Sequence, residues 1–275
     1  MNYVNNKVCA VAGPFCAIGW IVGLLVFAQF LPPPSGNTGP AEIAQFYADN
    51  VTGIRTGMIL VLFSGICYQP WVCAISVQMK RMEGATAPMT LVQFGLGTLF
   101  VLLFQLAAIF WQVAAYRPLE NPEITQRFND LGWMMFLISV PVVTIQGIAI
   151  SLAIFGDKRE EPILPRWFAW MNLWAQLVFL PGTVIPYFKD GPLAWNGVIS
   201  FWVPAIIYTI WMLTLTKLLL NAVNRQRAEE LAEQQPSTAV TDHAAQIEQL
   251  RHEISALRTE HDLLAGREPL SRTPV

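Results

Sequence analysis

Charge is scarce in this sequence, and the scarcity is concentrated in six stretches. Charged residues make up 13% of the 275 residues, whereas hydrophobic residues make up 54%. No Asp, Glu, Lys or Arg occurs from Val8 to Leu31, Thr56 to Met79, Thr90 to Tyr116, Leu131 to Gly156, Trp167 to Phe188, or Gly191 to Thr216. Crossing a hydrocarbon layer of ~30 Å takes about 20 helical residues, so each stretch is long enough to span a membrane.

Backbone amides that face lipid must be satisfied within the protein, which favours helices for such stretches. The sequence therefore predicts an all-α fold built on a six-helix transmembrane bundle. We expect the helices at about 8–31, 57–78, 89–115, 132–155, 168–187 and 197–220.

Ionisable groups are missing from the predicted helices, and this absence excludes several functions. The three histidines, His243, His252 and His261, lie near the C-terminus. Proton relays, voltage sensors and metal sites within a membrane need ionisable or ligating side chains at depth. The sequence also lacks the His pairs of zinc proteases and the Gly-rich loop of nucleoside triphosphatases. It therefore predicts no metal, no cofactor and no nucleic-acid partner, and an enzyme is the least favoured interpretation.

Basic residues are unevenly divided between the segments that join the helices. Cytoplasmic segments of membrane proteins carry an excess of Lys and Arg. If the N-terminus is cytoplasmic, nine of the basic residues up to Arg227 fall on that side and four on the other, namely Arg55, Arg117, Arg127 and Lys189. We therefore predict that both termini are cytoplasmic.

The polar residues inside the predicted helices are uncharged. Six of them are expected near the middle of the membrane: Tyr68, Gln69, Gln105, Gln146, Asn172 and Gln176. An amide that faces lipid is costly, so these side chains should point into the bundle. Hydrogen bonds between helices, each worth around 1 kcal/mol, would account for them. The alternative is that they line a cavity that binds a ligand, with Trp111, Trp133 and Trp195 near its outer mouth.

Proline occurs within five of the six predicted helices, at Pro14, Pro70, Pro141, Pro181 and Pro204. Each removes a backbone N–H and frees a carbonyl one turn earlier. In a membrane, freed carbonyls are tolerated where protein or water satisfies them. Five interrupted helices predict a kinked bundle, which favours the cavity.

Short helices are predicted in two of the external segments. Gly39 and Pro40 begin one, whose residues Ile43, Phe46 and Tyr47 share a face, and we expect it at the membrane surface. Asn121 and Pro122 begin the other, with Asn121 as the cap.

In the first predicted transmembrane helix, Gly19 and Gly23 form a small-residue face suited to close helix contact.

The C-terminal part changes to a charged composition and carries a heptad pattern. The predicted core positions are Ile247, Leu250, Ile254, Leu257, His261 and Leu264. Ile at the first core position and Leu at the second favour a parallel two-stranded coiled coil. We therefore predict a homo-oligomer, most simply a parallel dimer, and a merely amphipathic helix is the alternative.

These patterns divide the chain into four parts. The transmembrane domain covers 1–223, a cytoplasmic helix extension and linker 224–241, the coiled-coil segment 242–266 and a disordered tail 267–275.

Three stretches of the transmembrane part resemble an uncharacterised family of bacterial multi-pass inner-membrane proteins. They are Ala41 to Met58 (AEIAQFYADNVTGIRTGM), Asn129 to Phe136 (NDLGWMMF) and Pro165 to Gly197. The resemblance implies a bacterial inner-membrane location and no particular activity.

Taken together, the patterns favour a membrane protein that binds or passes a small neutral, apolar or amphipathic molecule. A scaffold or accessory subunit that clusters partners through its coiled coil is the first alternative. An enzyme that uses external carboxylates such as Asp49, Glu120 and Asp190 is the second.

Overall fold

The computed structural model describes residues 3–234 and 238–264, with side chains at 3–233 and 246–262. Every regular element within these ranges is a helix. The α-helices are α1 (Tyr3–Ile21), α2 (Pro40–Asp49), α3 (Val51–Gly65), α4 (Tyr68–Glu83), α5 (Pro88–Ala114), α6 (Pro122–Ile138), α7 (Val140–Gly156), α8 (Arg166–Phe179), α9 (Val203–Gln234) and α10 (Thr238–Leu264).

Within the described residues, six helical segments are long and apolar enough to cross a membrane, which confirms the predicted number. They are Tyr3–Phe27, Val51–Glu83, Pro88–Ala114, Pro122–Gly156, Arg166–Tyr187 and Val198–Glu233. The second and fourth spans begin earlier than predicted. The helices that begin at Val51 and Pro122, in the segments that were expected to connect the spans, continue without a break into the apolar stretches.

Two of the spans are broken near their middle. The second span divides between Gly65, where α3 ends, and Tyr68, where α4 begins. The fourth divides at Ser139, between α6 and α7. In each case a proline, Pro70 or Pro141, lies in the first turn of the following helix, where its missing N–H is harmless.

Three other spans change helix type instead of breaking. The first becomes a π-helix at Val22–Phe27, and the sixth begins as one at Val198–Trp202. The fifth tightens to a 3₁₀-helix at Leu180–Tyr187. The predicted interruption at Pro14 was misplaced, because α1 continues through this residue and the irregularity comes eight residues later.

The first span, through α1 and the π-helical segment that follows it, packs closely on α3 because glycines meet at their crossing. A Cβ atom at Gly23 would lie 2.8 Å from the carbonyl oxygen of Gly57. A Cβ at Gly19 would lie 2.3 Å from Ser64 Oγ. The small-residue face of α1 is therefore used within the chain, and it brings the two helices into backbone contact.

Helix α5 is capped at both ends by the two helices that precede it. At its start, the Glu83 carboxylate accepts hydrogen bonds from the backbone N–H groups of Met89 (3.0 Å) and Thr90 (2.7 Å). At its end, the Arg55 guanidinium donates to the carbonyl oxygens of Ala115 (3.0 Å) and Tyr116 (2.7 Å). An acid at the start and a base at the end also suit the helix dipole.

Helix α2 begins at Pro40 as predicted, but it does not lie free at a membrane surface. Ile43, Ala44 and Tyr47 are buried, and α2 packs against α6. The Tyr47 hydroxyl donates to Asn129 Oδ1 over 3.2 Å. The apolar face of α2 therefore contacts protein. The predicted cap of α6 is confirmed, since Ile124 N–H donates to Asn121 Oδ1 over 3.2 Å.

The chain divides into two compact units, Met1–Arg225 and Gln226–Val275. In the second unit, α10 covers the predicted heptads, and Ile247, Leu250, Ile254 and Leu257 are 54–64% exposed. His261 is also exposed, the side chain of Leu264 lies outside the described side chains, and the predicted tail at 267–275 lies outside the described residues. The pairing of this stripe with a second chain stays a prediction.

Candidate functional site

A cavity of about 240 Å³ lies inside the bundle. Its wall is built by α1, α4, α5, the α6–α7 junction, the end of α8 and the start of α9. Ile21 from α1 and Ala205 and Thr209 from α9 line the cavity and are exposed at the bundle surface. The cavity therefore opens between these two helices.

The opening is surrounded by apolar side chains. The neighbouring side chains on both helices are Ile18, Leu25 and Ile206, which are 47–61% exposed. They carry no polar group, so lipid would cover them. If the six segments cross a membrane, a molecule dissolved in the bilayer would reach the cavity without passing through water.

The two π-helical segments both contribute to the wall of this cavity. Leu24 comes from the first π-helix, and Ser200 and Phe201 come from the second. A π turn carries one more residue than an α turn, so it displaces side chains from the regular helical pattern, and such turns are frequent at functional sites.

The two helix breaks and the 3₁₀ segment also border the cavity. Gly65 and Tyr68 flank the first break, and Leu137 and Val140 flank the second. Phe179 is the residue before the 3₁₀ segment. The irregular places of five different spans thus converge on one volume.

The walls are aromatic and uncharged. Eight of the 23 lining residues are Phe, Tyr or Trp, and none is charged. Trp20 is stacked on Phe136, with ring centroids 5.4 Å apart and an interplanar angle of 13°. Phe104 meets Trp20 edge-on at 4.8 Å. Such walls suit an apolar molecule and give a preference for flat rings.

One polar spot lies at the end of the cavity. Tyr68 is 4% exposed, and within the described chain its hydroxyl makes no hydrogen bond of regular distance and angle. The Tyr208 hydroxyl and the Gln146 side chain lie close to it. Both amide atoms of Gln146 are buried and also lack partners. Buried polar groups are normally satisfied, so an unpaired hydroxyl beside a cavity points to a ligand.

The other hydroxyls of the wall are already engaged. Ser200 Oγ donates to the carbonyl oxygen of Leu193 over 3.0 Å. Thr209 Oγ1 donates to the carbonyl oxygen of Ala205 over 2.8 Å. Among the described hydroxyls of the wall, the one without a hydrogen-bond partner of regular geometry is therefore that of Tyr68.

Asn172 and Gln176, two of the predicted ligand-binding residues, lie outside the cavity. Asn172 Nδ2 donates to the Gly147 carbonyl oxygen (2.6 Å) and to Ser151 Oγ (2.7 Å), and its Oδ1 accepts from Trp211 Nε1 (2.7 Å). Gln176 Nε2 donates to the same Oδ1 over 3.2 Å. This network joins α7, α8 and α9, which corresponds to the interhelical hydrogen bonding that the sequence also allowed.

Gln69 and Gln105 also lie outside the cavity, in a shallower groove between the α3–α4 junction and α5. Gln69 Nε2 donates to Thr98 Oγ1 over 3.0 Å, and Gln105 Nε2 donates to the Leu62 carbonyl oxygen over 2.8 Å. Of the six predicted residues, Tyr68 alone is a lining residue of the cavity, and Gln146 lies next to it. The sequence shows how deep a residue lies along a helix, but the direction in which its side chain points changes at each helix break.

Trp111, Trp133 and Trp195 do not form a mouth. Trp111 and Trp133 are fully buried, and their ring centroids lie 4.9 Å apart in a cluster with Phe30. Trp195 is 4% exposed, and its Nε1 donates to the Pro34 carbonyl oxygen over 2.7 Å. These tryptophans pack the end of the bundle that holds α2, because their large rings find protein neighbours there.

The sequence interpretation missed most of the cavity wall. It assigned no role to Trp20, Phe104, Phe136 or Tyr208. Prolines were the available signal, because Pro70, Pro141, Pro181 and Pro204 each lie within four residues of a lining residue.

Comparison of the chain with known protein families, with curated proteins and with solved structures finds no match. Within residues 3–234 and 238–264, no group of three or more His, Cys, Asp or Glu could hold a metal ion. The function is therefore inferred from the chemistry of the cavity itself.

Proposed function

We propose that the membrane domain binds a small, uncharged, apolar or amphipathic molecule in this cavity. The observation that carries the proposal is the convergence of five helix irregularities on one aromatic volume that contains an unpaired tyrosine hydroxyl. Helix breaks and π turns lose regular backbone hydrogen bonds, which lowers stability. Their clustering around one cavity is therefore better explained by ligand binding than by stability.

The size of the cavity supports the same conclusion. A cavity of about 150 Å³ lined by apolar side chains is dry and binds benzene. The volume here is about 240 Å³, enough for a substituted ring or a short branched chain. A charged molecule would lose its hydration without gaining an opposite charge, because none of the lining residues is ionised.

Filling the cavity tests the proposal. Ala17 lines the cavity, so Ala17→Phe places a ring inside it. In lipid nanodiscs, N-phenyl-1-naphthylamine should show saturable fluorescence enhancement with the natural chain, and the variant should weaken this binding at least tenfold. The reason is steric, since a phenyl ring occupies much of a cavity of this size.

Val11→Phe provides the matched control. Val11 lies on the same helix, is 47% exposed and does not line the cavity. It adds a ring of the same kind toward lipid, so probe binding should stay as it is in the natural chain. Equal saturable binding by both variants would contradict the proposal, as would the absence of saturable binding in the natural chain.

We also propose that the protein lies in a bacterial inner membrane with both termini cytoplasmic. The excess of basic residues on the side of the termini, nine against four, supports this orientation. Protease added to intact spheroplasts should leave the C-terminal segment uncut, and cleavage there would reverse the assignment.

A scaffold function is the second candidate, and the exposed apolar stripe of α10 favours it. Ile247, Leu250, Ile254 and Leu257 recur at steps of three and four residues, which suits a parallel dimer. Deleting residues 236–275 distinguishes the candidates. A scaffold should lose its dimer on cross-linking and its cellular function, whereas cavity binding of the naphthylamine probe should persist.

A further inference from the structure

We infer that the molecule bound in the cavity is a flat, uncharged ring that carries a hydrogen-bond acceptor such as a carbonyl oxygen. The ring would lie against Trp20, Phe104 and Phe136, and its acceptor would receive the Tyr68 hydroxyl proton. The inference rests on the proposed function and specifies the chemical class of the ligand.

The shape of the ligand is argued from the aromatic wall. Trp20 and Phe136 present a stacked pair, with Phe104 edge-on to both at 4.8 and 4.9 Å. Aromatic rings prefer offset-stacked or edge-to-face neighbours at these separations, and each such pair contributes about 0.5–1.5 kcal/mol beyond burial. A flat ring gains these contacts, whereas a flexible acyl chain of equal volume does not.

The acceptor is argued from the polar spot. Ser200 and Thr209 use their hydroxyl protons within the protein, but Tyr68 does not. A phenol buried to this extent loses its hydrogen bond to water and leaves an unmet donor. Tyr208 adds a second phenol on the same side of the cavity. A phenol donor in this position matches an accepting oxygen that carries no proton of its own, which a ring carbonyl provides.

The surroundings exclude a charged group in this position. No Asp, Glu, Lys, Arg or His lines the cavity, and the opening lies among Ile18, Leu25 and Ile206. A carboxylate or an ammonium group would therefore be desolvated without an ionic partner. A neutral carbonyl is compatible with both the wall and the lipid route.

Two probes of the same shape separate the ring from the acceptor. Duroquinone and durene are flat rings with four methyl groups each, and only duroquinone carries carbonyl oxygens. Each compound is titrated against N-phenyl-1-naphthylamine in nanodiscs, and its concentration is expressed as the concentration in the lipid phase. Ala17→Phe serves as the blank that corrects for direct quenching of the probe. With the natural chain, duroquinone should compete at least fivefold more strongly than durene, which corresponds to about one hydrogen bond.

Tyr68→Phe tests the assigned donor. The variant keeps the ring and removes the hydroxyl. Competition by duroquinone should therefore fall to the level of durene, whereas competition by durene should not change. The unchanged durene affinity shows that the cavity is still folded. Equal competition by the two probes with the natural chain overturns the acceptor inference and leaves the proposed function intact. A duroquinone preference that persists in Tyr68→Phe also overturns the acceptor inference. Absence of saturable probe binding contradicts the proposed function as well.

Discussion

Replacing Asn172 with Leu should lower the free energy of unfolding by about 2–4 kcal/mol. Asn172 is fully buried and joins three helices through its side chain. Leu has a similar volume, but it leaves the Trp211 Nε1–H without its acceptor. A buried donor without a partner costs about 1–3 kcal/mol, and each lost interhelical hydrogen bond adds about 0.6–1.7 kcal/mol. Unfolding in mixed micelles, followed by tryptophan fluorescence, measures the difference.

Gln146→Leu is the matched control for this prediction. Gln146 is 1% exposed and lies in the same region, but neither of its amide atoms has a hydrogen-bond partner. Removing an unpaired buried amide should leave the stability unchanged or raise it by about 1 kcal/mol. If both variants were destabilised equally, hydrogen bonding would not explain the effect, and loss of side-chain shape would have to.

Replacing Gly57 with Ala should destabilise the bundle by about 3 kcal/mol, although it adds a single methyl group. A Cβ atom at Gly57 would lie 2.4 Å from the carbonyl oxygen of Gly23 and 3.1 Å from the backbone nitrogen of Ala28. Both neighbours are backbone atoms, so no side chain can turn aside. Helices α1 and α3 must separate, and their contact is lost along its length.

Gly95→Ala is the control for helix propensity. Gly95 lies inside α5 and is exposed, and a Cβ atom there meets nothing within 4 Å. Ala should therefore stabilise this helix by about 0.5–1 kcal/mol. Thermal unfolding of the two variants should move in opposite directions, and a stable Gly57→Ala protein would contradict the close packing of α1 on α3.

The sequence predicted the number of membrane-crossing helices because hydrocarbon excludes charge over a length that can be counted. It also predicted the cap at Asn121 and the glycine face of α1, since both depend on local spacing. Interruptions near Pro70, Pro141, Pro181 and Pro204 were foreseen for the same reason. The π-helix at Val22–Phe27 was not, because no proline marks it.

The cavity wall was less predictable. Gln69 and Tyr68 are adjacent in the sequence, but Tyr68 faces the cavity and Gln69 faces a groove between α4 and α5. Their directions depend on how α4 restarts after Cys67, which is a property of packing. Asn172 and Gln146 look alike in the sequence, and only tertiary contacts show that one is fully hydrogen-bonded and the other is not.

Capping of α5 by Glu83 and Arg55 determines which parts of the cavity wall are free to shift. Both caps come from the two ends of the preceding span, so α3, α4 and α5 are tied together at their ends. Phe100, Phe104 and Tyr68 accordingly belong to one stiff frame. Asn50 donates to the Phe27 carbonyl oxygen over 2.8 Å, so the π-helical end of the first span is tied to the same frame. We therefore expect any widening of the opening to come from the π-helical start of the sixth span, Val198–Trp202. The cavity thus has a fixed wall on one side and a movable wall on the other.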